Sequence, residues 1–351
     1  MPKARGMHAL LRRLALTLTV ALVCIVPLAA RAATAYTLTN SVVLGGDGGW
    51  DYLIYDSANR HLFISRGTHV MVVDPAGTVV GDIPGTGGVH GIAIAADLNE
   101  GFTSNGRDGS VTVFDLRTLK TIQTIPIAGK NPDCIIYDPA SKRVFTFDGG
   151  SNDATAIDAV GLKVVGTIAL PGRPEFAVSN QNGVLFNNIE DKNDIVAIDA
   201  KTDQIINTWS IAPCEGPSGL SIDVAHARLF AVCSNKTMAI VDALTGKVVA
   251  TPAIGAGPDA SAFDPATQLA FSSNGRDGTL TVVHEDSPYA FSVVQTATTK
   301  VGARTMALDP TTHTIYLVTA NIVFGPPAPG ETRPTRTITP GTFTLLMMSG
   351  P

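Results

Sequence analysis

Apolar and polar positions follow a repeating pattern along this chain, with a period of about 42 residues. In each repeat an apolar run ends in Asp or a small residue, and an aromatic residue follows seven positions later. The pairs are Asp56 and Phe63, Ala95 and Phe102, Asp138 and Phe145, Ser179 and Phe186, Asp223 and Phe230, Asp264 and Phe271, and Asp309 and Tyr316. Because only 6% of the residues are aromatic, this regular spacing indicates a repeated structural unit.

Each unit predicts four short strands separated by turns. In one unit, GKNPD leads into the strand CIIYD, a polar turn precedes RVFTF, and ATAID forms an alternating third strand. Helical repeats are excluded because no unit contains an apolar stripe of helical period. Four strands in each of seven units predict an all-β fold, a seven-bladed β-propeller spanning residues 33–351 as a single domain.

The ends of the chain predict how the ring closes. The last unit finishes at GTFTLLMMS, which reads as a third strand without a fourth. The segment YTLTNSVVLG at 36–45 has the pattern of the fourth strands elsewhere. We therefore expect the N-terminal strand to complete the last blade, so that no sheet edge is left free.

Two short motifs resemble a known family. FTSN at 102–105 and FSSN at 271–274 are similar to the Tyr-Val-Thr-Asn signature of YVTN repeats, and DALTGKVV at 242–249 resembles a turn of that family. The resemblance implies an exported bacterial propeller of the YncE-like type. The other blades depart from the motif, because the Asn position is occupied by Arg66, Asp148, Ile189, Cys233 and Thr319.

The first 32 residues predict a secretory signal peptide. Basic residues precede an apolar run from Leu14 to Leu28, and Ala30, Arg31 and Ala32 form a cleavage motif. We therefore expect a periplasmic or secreted protein, cleaved near Ala32. No later segment is apolar over the length of about 18 residues that a membrane span needs.

Charge and cysteine content narrow the expected partners. Without the five basic residues of the leader, the 25 basic residues become 20, against 30 acidic ones, so the net charge is −10. Such a chain is a poor candidate for nucleic acid, and we expect a monomer. Cys214 and Cys233 lie at two strand ends of one blade that reach the same face, which predicts a disulfide between them; Cys134 is expected to be a buried free thiol.

The first position of each innermost strand predicts a ring of polar residues at the mouth of the central channel. The ring comprises Asp51, His90, Asp133, Glu175, Ser218, Asp259 and Arg304. Three interpretations remain open: a hydrated polar funnel, a small-molecule site, or a site for Ca²⁺ or Mg²⁺. Asp133, Glu175 and Asp259 are the candidate metal ligands.

The loops after the second strands predict a second set of residues at the rim of the same face. They are Arg66, Asn105, Arg107, Asp108, Asp148, Asn188, Glu190, Asn274, Arg276 and Asp277. The hexapeptide SNGRDG occurs twice, at 104–109 and 273–278. Its glycines are typical of hairpin turns, whereas a turn does not require the guanidinium of Arg107 or Arg276.

The proline-rich segment 321–341 is predicted to be a non-sheet insert between the second and third strands of the last blade. It leaves the blade at the same face as the channel mouth. Two interpretations are open: a lid over the channel, or a decoration that covers the blade.

No motif identifies an enzyme or a cofactor. Cys-x-x-Cys-His, His-Glu-x-x-His and Gly-x-Ser-x-Gly are all absent from the sequence, so ordinary c-type haem attachment is not expected. The leading hypothesis is a binding or scaffold propeller that takes a small molecule or a protein partner on its top face. The alternative is a metal-dependent lactonase- or lyase-like enzyme with His90 as acid or base, and a third hypothesis is a docking subunit for a redox partner.

Overall fold

The computed structural model describes residues 35–327 and 334–350. The predicted signal peptide, residues 1–32, lies outside the described residues. All regular elements of the described part are β-strands. None of the described residues belongs to a helix long and apolar enough to cross a membrane.

The strands of the first half of the molecule belong to the first three blades, apart from β1. They are β1 (Thr37–Val43), β2 (Leu53–Asp56), β3 (His61–Ser65), β4 (Gly67–Val73), β5 (Val79–Ala95), β6 (Glu100–Asn105), β7 (Ser110–Asp115), β8 (Thr121–Pro126), β9 (Pro132–Asp138), β10 (Arg143–Asp148), β11 (Asp153–Asp158) and β12 (Lys163–Ala169).

The strands of the second half build blades four to seven and a two-stranded insert. They are β13 (Pro174–Ser179), β14 (Val184–Ile189), β15 (Asp194–Asp199), β16 (Gln204–Ser210), β17 (Pro217–Asp223), β18 (Arg228–Cys233), β19 (Thr237–Asp242), β20 (Val248–Ala250), β21 (Pro258–Asp264), β22 (Leu269–Asn274), β23 (Thr279–Ser287), β24 (Ala290–Thr298), β25 (Met306–Asp309), β26 (Thr314–Thr319), β27 (Ile322–Pro327), β28 (Pro334–Ile338) and β29 (Thr344–Ser349).

These strands form seven antiparallel units of four, as the sequence predicts. The first two units share β5, whose first half pairs with β4 and whose second half pairs with β6. This long strand joins blades one and two into one seven-stranded sheet. The fold is therefore an all-β, seven-bladed propeller.

The N-terminal strand closes the ring. The last sheet has the order β1-β29-β26-β25, with Thr37 opposite Ser349 and Val43 opposite Thr344. Tyr36, just before β1, also bonds to the neighbouring blade, because its backbone N–H donates to Gln295 Oε1 at 2.7 Å. The prediction that the N-terminal strand completes the last blade is confirmed.

The seven aromatic residues of the repeat lie on second strands and form the core between blades. Each is 0–3% exposed: Phe63, Phe102, Phe145, Phe186, Phe230, Phe271 and Tyr316. A second strand is paired on both edges, and a neighbouring blade covers each of its faces. Its residues are therefore apolar on both faces, and the large rings exclude water from the inter-blade layer.

The prediction of a non-sheet insert at 321–341 is wrong. Residues Ile322–Pro327 and Pro334–Ile338 form an antiparallel hairpin, with Ile322 opposite Ile338 and Phe324 opposite Arg336. The prolines of β27 and β28 lie towards the far end of this two-stranded ribbon, where a missing N–H removes few ladder bonds. The position of the insert, between the second and third strands of the last blade, is as predicted.

Both expectations for the cysteines are confirmed. Cys214 and Cys233 form a disulfide with a Cα–Cα distance of 5.5 Å, and Cys134 is a buried free thiol. The disulfide joins the segment before β17 to the end of β18. Both ends lie on the face that carries the channel mouth.

Candidate functional site

A repeated β-bulge turns one side chain per blade towards the channel. In four blades the innermost strand begins with a proline paired to the last residue of the second strand, and the register shifts directly afterwards. The residues within these shifts include Asp133, Glu175, Ser218 and Asp259. A bulged residue is free of the ladder and can be re-aimed, so this position can carry a polar side chain in an otherwise apolar strand.

All seven predicted channel residues are half-buried, and several of them contact one another. Asp51 is at the centre of this network. Its carboxylate accepts a hydrogen bond from His90 Nδ1 at 2.6 Å and another from Arg304 at 3.3 Å. Arg304 also pairs with Asp259 at 2.9 Å, and Ser218 Oγ donates to the Asp259 carbonyl at 3.0 Å. The structure therefore brings these predicted residues into one cluster.

Burial and mutual repulsion perturb the acids of this cluster. Burial raises the pKa of Asp133 to about 6, in spite of the nearby His90. Burial also raises the pKa of Asp259 to about 6, although Arg304 opposes the shift. For His90, burial alone would lower the pKa, but the hydrogen bond that it donates to Asp51 and the charge of Asp133 outweigh burial and raise the pKa.

Glu175 is the most strongly perturbed acid at the mouth. Burial raises its pKa, and the charges of Asp133 and Glu190 and a hydrogen bond to Glu190 act in the same direction. Glu190 itself is paired with Arg173. The protonated form of Glu175 is therefore stabilised, and it adds a hydrogen-bond donor to the channel wall.

These residues line a cavity of about 260 Å³. Its wall includes Asp51, Asp133, Glu175, Asp259 and Arg304, together with the stacked rings of Tyr52 and Phe176, whose centroids are 4.4 Å apart. The cavity combines acidic groups with one guanidinium and an aromatic floor.

One group at the mouth has the spacing of a metal site. Donor atoms of Asp51, His90 and Asp133 all lie within 4.8 Å of one another. Of the three metal ligands predicted from sequence, only Asp133 belongs to this group. Asp259 is instead held by Arg304, and Glu175 interacts with Glu190.

The duplicated hexapeptide forms the same structural joint in blades two and six. Asn105 accepts from Thr103 Oγ1 and donates to Ser110 and Thr112, and Asn274 repeats this with Ser272, Thr279 and Thr281. Both asparagines are fully buried. The side chains of these two rim candidates therefore form their hydrogen bonds within their own blades.

The first residue of the hexapeptide fixes the backbone of the next channel residue. Ser104 Oγ donates to the carbonyl of Asp133, and Ser273 Oγ donates to the carbonyl of Arg304. The second glycine of each copy adopts a left-handed φ, +59° at Gly109 and +63° at Gly278. The repeat thus positions two members of the channel cluster from the preceding blade.

Three other rim candidates are engaged in the fold. Arg66 is 2% exposed, donates to the carbonyls of Gly45, Asp47 and Gly49, and stacks over the Phe343 ring. Asp148 is buried and accepts from Thr155 at 2.7 Å. Asn188 donates to the Ser218 carbonyl at 2.7 Å.

The two hexapeptide arginines differ in their surroundings. Arg107 donates to the Gly67 carbonyl of the first blade at 3.2 Å. Arg276 is exposed and lines a cavity of about 740 Å³ that lies beside the channel mouth. The two copies of the hexapeptide therefore place their arginines in different surroundings.

The insert hairpin forms one wall of this larger cavity. Its lining includes Arg276, Arg304, Arg336, Val301, Ile322 and Phe324, with Asp259 at the channel side. A smaller cavity of about 220 Å³ shares Arg304, Ile322 and Arg336 and extends to Trp50. Hairpin residues therefore face the channel mouth, as the lid interpretation expects.

Three residues that line this cavity were not predicted from the sequence: Ile322, Phe324 and Arg336. Gly302 shows how closely the hairpin packs, because a Cβ added there would lie 2.6 Å from Ile322. The available signal was the alternation in NIVFG and TRTIT, which is typical of strands, but the prolines obscured it.

Comparison with solved structures defines the class of protein. The chain is similar to a chain of Kuenenia stuttgartiensis hydrazine synthase, at 17% identity and a TM-score of 0.68, covering 83% of this chain and 96% of that one. It is also similar to a chain of the mitotic checkpoint complex, at 14% identity and a TM-score of 0.72 (96% and 98% covered), and to the WD40 repeats of RRP9, at 7% identity and a TM-score of 0.74 (90% and 99% covered). At these identities the likeness shows the β-propeller fold alone.

No protein-family model matches this chain, and no curated protein matches it. The chain is a β-propeller with a polar channel mouth on one face.

Proposed function

We propose that this protein is an exported binding propeller that takes a small anionic molecule with an apolar portion on its top face. The observation that carries the proposal is the cavity of about 740 Å³ between the channel mouth and the hairpin. Concave sites with apolar walls and a few convergent polar groups are typical of small-molecule sites.

The charges of the cavity favour an anion. Three guanidiniums line it, from Arg276, Arg304 and Arg336. Arg304 is balanced by Asp51 and Asp259, whereas Arg276 forms no ion pair with any of the described residues. A guanidinium matches the two oxygens of a carboxylate or phosphate, so Arg276 is the expected primary contact.

The remaining walls favour an apolar portion of the ligand. Val301 and Phe324 are 47% and 54% exposed, and the half-buried Ile322 lines the same cavity. Covering these side chains with a ligand removes apolar surface from water, worth about 25 cal/mol per Å². A purely inorganic anion would leave this surface exposed.

The proposal includes export and kinship with the YVTN-repeat propellers. The leader at 1–32 supports export, and FTSN and FSSN at the ends of two second strands support the kinship. A protein partner on the same face is the competing occupant.

Binding of paired probes tests the proposal. Calorimetry with 3-phenylpropionate, its uncharged amide and propionate separates the two contributions, and we expect only the phenyl carboxylate to bind saturably. Arg276→Gln and Arg336→Gln should each weaken that binding about tenfold, as expected for a charged hydrogen bond. Arg107→Gln is the matched control, because it changes the same motif and the same charge outside the cavity.

If Arg107→Gln weakens probe binding equally, the loss of affinity reflects the overall charge of the protein and the proposed site is contradicted. Native mass spectrometry of protein isolated from its host gives a second readout. The proposal is contradicted if the isolated protein carries a bound protein and no small molecule. It is also contradicted if the isolated protein carries no bound molecule and the probe does not bind.

A metal-dependent enzyme is the second candidate, favoured by the spacing of Asp51, His90 and Asp133. These side chains would supply two carboxylates and an imidazole as ligands. Thermal melts with millimolar Ca²⁺, Mg²⁺ or EDTA test it. A rise in Tm that Asp133→Asn abolishes is expected, and no shift with either ion contradicts this candidate.

A further inference from the structure

A second cluster of ionisable side chains lies at the other end of the blades. Asp223 and Arg228 pair at this end of blade five, whereas Pro217 and Cys233 pair at the channel end. Donor atoms of Asp223, His226 and Glu285 all lie within 4.8 Å of one another. His226 Nδ1 is 2.6 Å from Asp223 Oδ2 and 3.0 Å from Glu285 Oε1.

Glu285 departs from the pattern of the repeat. The residue just after the third-strand Asp is a buried Leu or Ala in four other blades: Leu116, Ala159, Ala200 and Ala243. In blade six this position carries a carboxylate whose side chain is 1% exposed. Its Oε2 has no hydrogen-bond partner among the described residues, and Oε1 has only His226 Nδ1, which it shares with Asp223. The four other blades show that this position accepts a buried apolar residue, so the buried acid requires another explanation.

Asp223 shares its histidine with a second acid, unlike the equivalent aspartates of two other blades. In blade six, Asp264 Oδ2 is 2.6 Å from His313 Nδ1 of the next blade, and in blade three, Asp138 accepts from Ser179 Oγ of the next blade at 2.6 Å. Asp223 uses Oδ1 to cap its own turn through the Ala225 N–H, at 2.9 Å. Its other oxygen, Oδ2, is 2.6 Å from His226 Nδ1, the same atom that lies 3.0 Å from Glu285 Oε1.

The nearby cations do not neutralise the two acids. Arg228 is 3% exposed, pairs with Asp242 at 3.1 Å and donates to three backbone carbonyls. His226 can donate only one proton from Nδ1, although that atom lies within 3.0 Å of both carboxylates. Two buried carboxylates therefore converge on one imidazole nitrogen.

We propose that Asp223, His226 and Glu285 bind a divalent transition metal of the Zn²⁺ class, which links blades five and six on the face opposite the channel mouth. One imidazole nitrogen and two carboxylates are ordinary zinc donors, with bonds of about 2.0–2.2 Å. A dication would neutralise both acids and supply a partner for Glu285 Oε2, which has none among the described residues. His226 is exposed, which leaves a coordination position accessible to water.

Zinc titration of EDTA-treated protein tests this site. Calorimetry and thermal melts with Zn²⁺, and the visible absorption of added Co²⁺, report binding without any assumption about activity. We expect one Zn²⁺ equivalent and a rise in Tm that disappear in Glu285→Ala and in His226→Ala. Glu285→Ala restores the residue of the other blades, so it should melt no lower than the metal-free wild type.

Two controls make the assignment specific. His313→Ala removes the equivalent aspartate–histidine pair one blade further on, and Asp133→Asn disrupts the group at the channel mouth. Both should retain the Zn²⁺ equivalent. Loss of the bound Zn²⁺ in Asp133→Asn, together with its retention in Glu285→Ala and His226→Ala, would overturn the proposal. A wild-type Tm that does not change with Zn²⁺ would overturn it as well.

Discussion

Asp133 shows how the propeller reserves one position per blade for chemistry. The bulge after Pro132 takes this residue out of the hydrogen-bond ladder, and Ser104 of the preceding blade holds its carbonyl. The side chain can therefore be exchanged without breaking strand pairing. Five blades use this freedom to present three acids, a histidine and a serine at one mouth, whereas Asp51 and Arg304 lie just before their strands.

Replacement of this acid should change the pH dependence of stability in a defined window. Because the pKa of Asp133 is about 6 in the fold and about 3.9 when unfolded, the folded state keeps its proton while the unfolded state releases it. Wild-type stability contributed by this group is thus lost as the pH rises from about 4 to about 6. Asp133→Asn should become more stable relative to the wild type across that window, by up to about 3 kcal/mol.

Urea unfolding at several pH values measures this difference. Asp115→Asn is the control of opposite sign, because backbone N–H groups of Thr118 and Arg117 lower the pKa of Asp115. The difference in stability between Asp115→Asn and the wild type should change only below about pH 4. A difference between Asp133→Asn and the wild type that stays constant from pH 4 to pH 7 would show that Asp133 is not perturbed.

At the scale of the strand, the repeat made most elements predictable. The aromatic spacing located the second strands, and the recurrent proline located four channel residues, because both are local consequences of blade geometry. The hairpin at 322–338 escaped prediction because its pairing partners are separated by a proline-rich tip. Phe324 and Arg336 acquire their role only when the hairpin packs near Gly302, which no local pattern reports.

The disulfide is the element-scale feature with the clearest expected effect. Cys214 and Cys233 are 19 residues apart, and closing a loop of this size stabilises a fold by about 3 kcal/mol in the chain-entropy account. Cys214→Ala with Cys233→Ala should lower the free energy of unfolding by about that amount. Urea denaturation with and without dithiothreitol measures it.

The free thiol supplies the control for this experiment. Cys134→Ala should respond to dithiothreitol as the wild type does, whereas the double variant should not respond. Three free thiols per chain of the unreduced protein, counted after denaturation in residues 35–350, would contradict the disulfide.

The whole molecule depends on a single closure, made by the strand with the largest sequence separation from its partner. β1 covers an edge of β29 whose side chains include Leu346 and Met348, both fully buried. Tyr36 adds an edge-on contact with Phe271 at 5.0 Å and two hydrogen bonds with Gln295 of the adjoining blade. The last blade is therefore fastened to the first strand and to its neighbour.

Removal of this strand should open the ring and expose a pairing edge. Deletion of residues 36–43 leaves the outer edge of β29 unpaired, and unpaired edges template association with other chains. We expect a fall in Tm together with concentration-dependent oligomers in size-exclusion chromatography. The control is a circular permutant that joins Gly350 to Tyr36 through a short glycine linker and opens the chain between Val160 and Gly161, in an exposed turn. The permutant keeps every strand pair and should elute as the wild type does, with a Tm near that of the wild type. A deletion variant that elutes as the wild type does and is equally stable would show that the closure is dispensable.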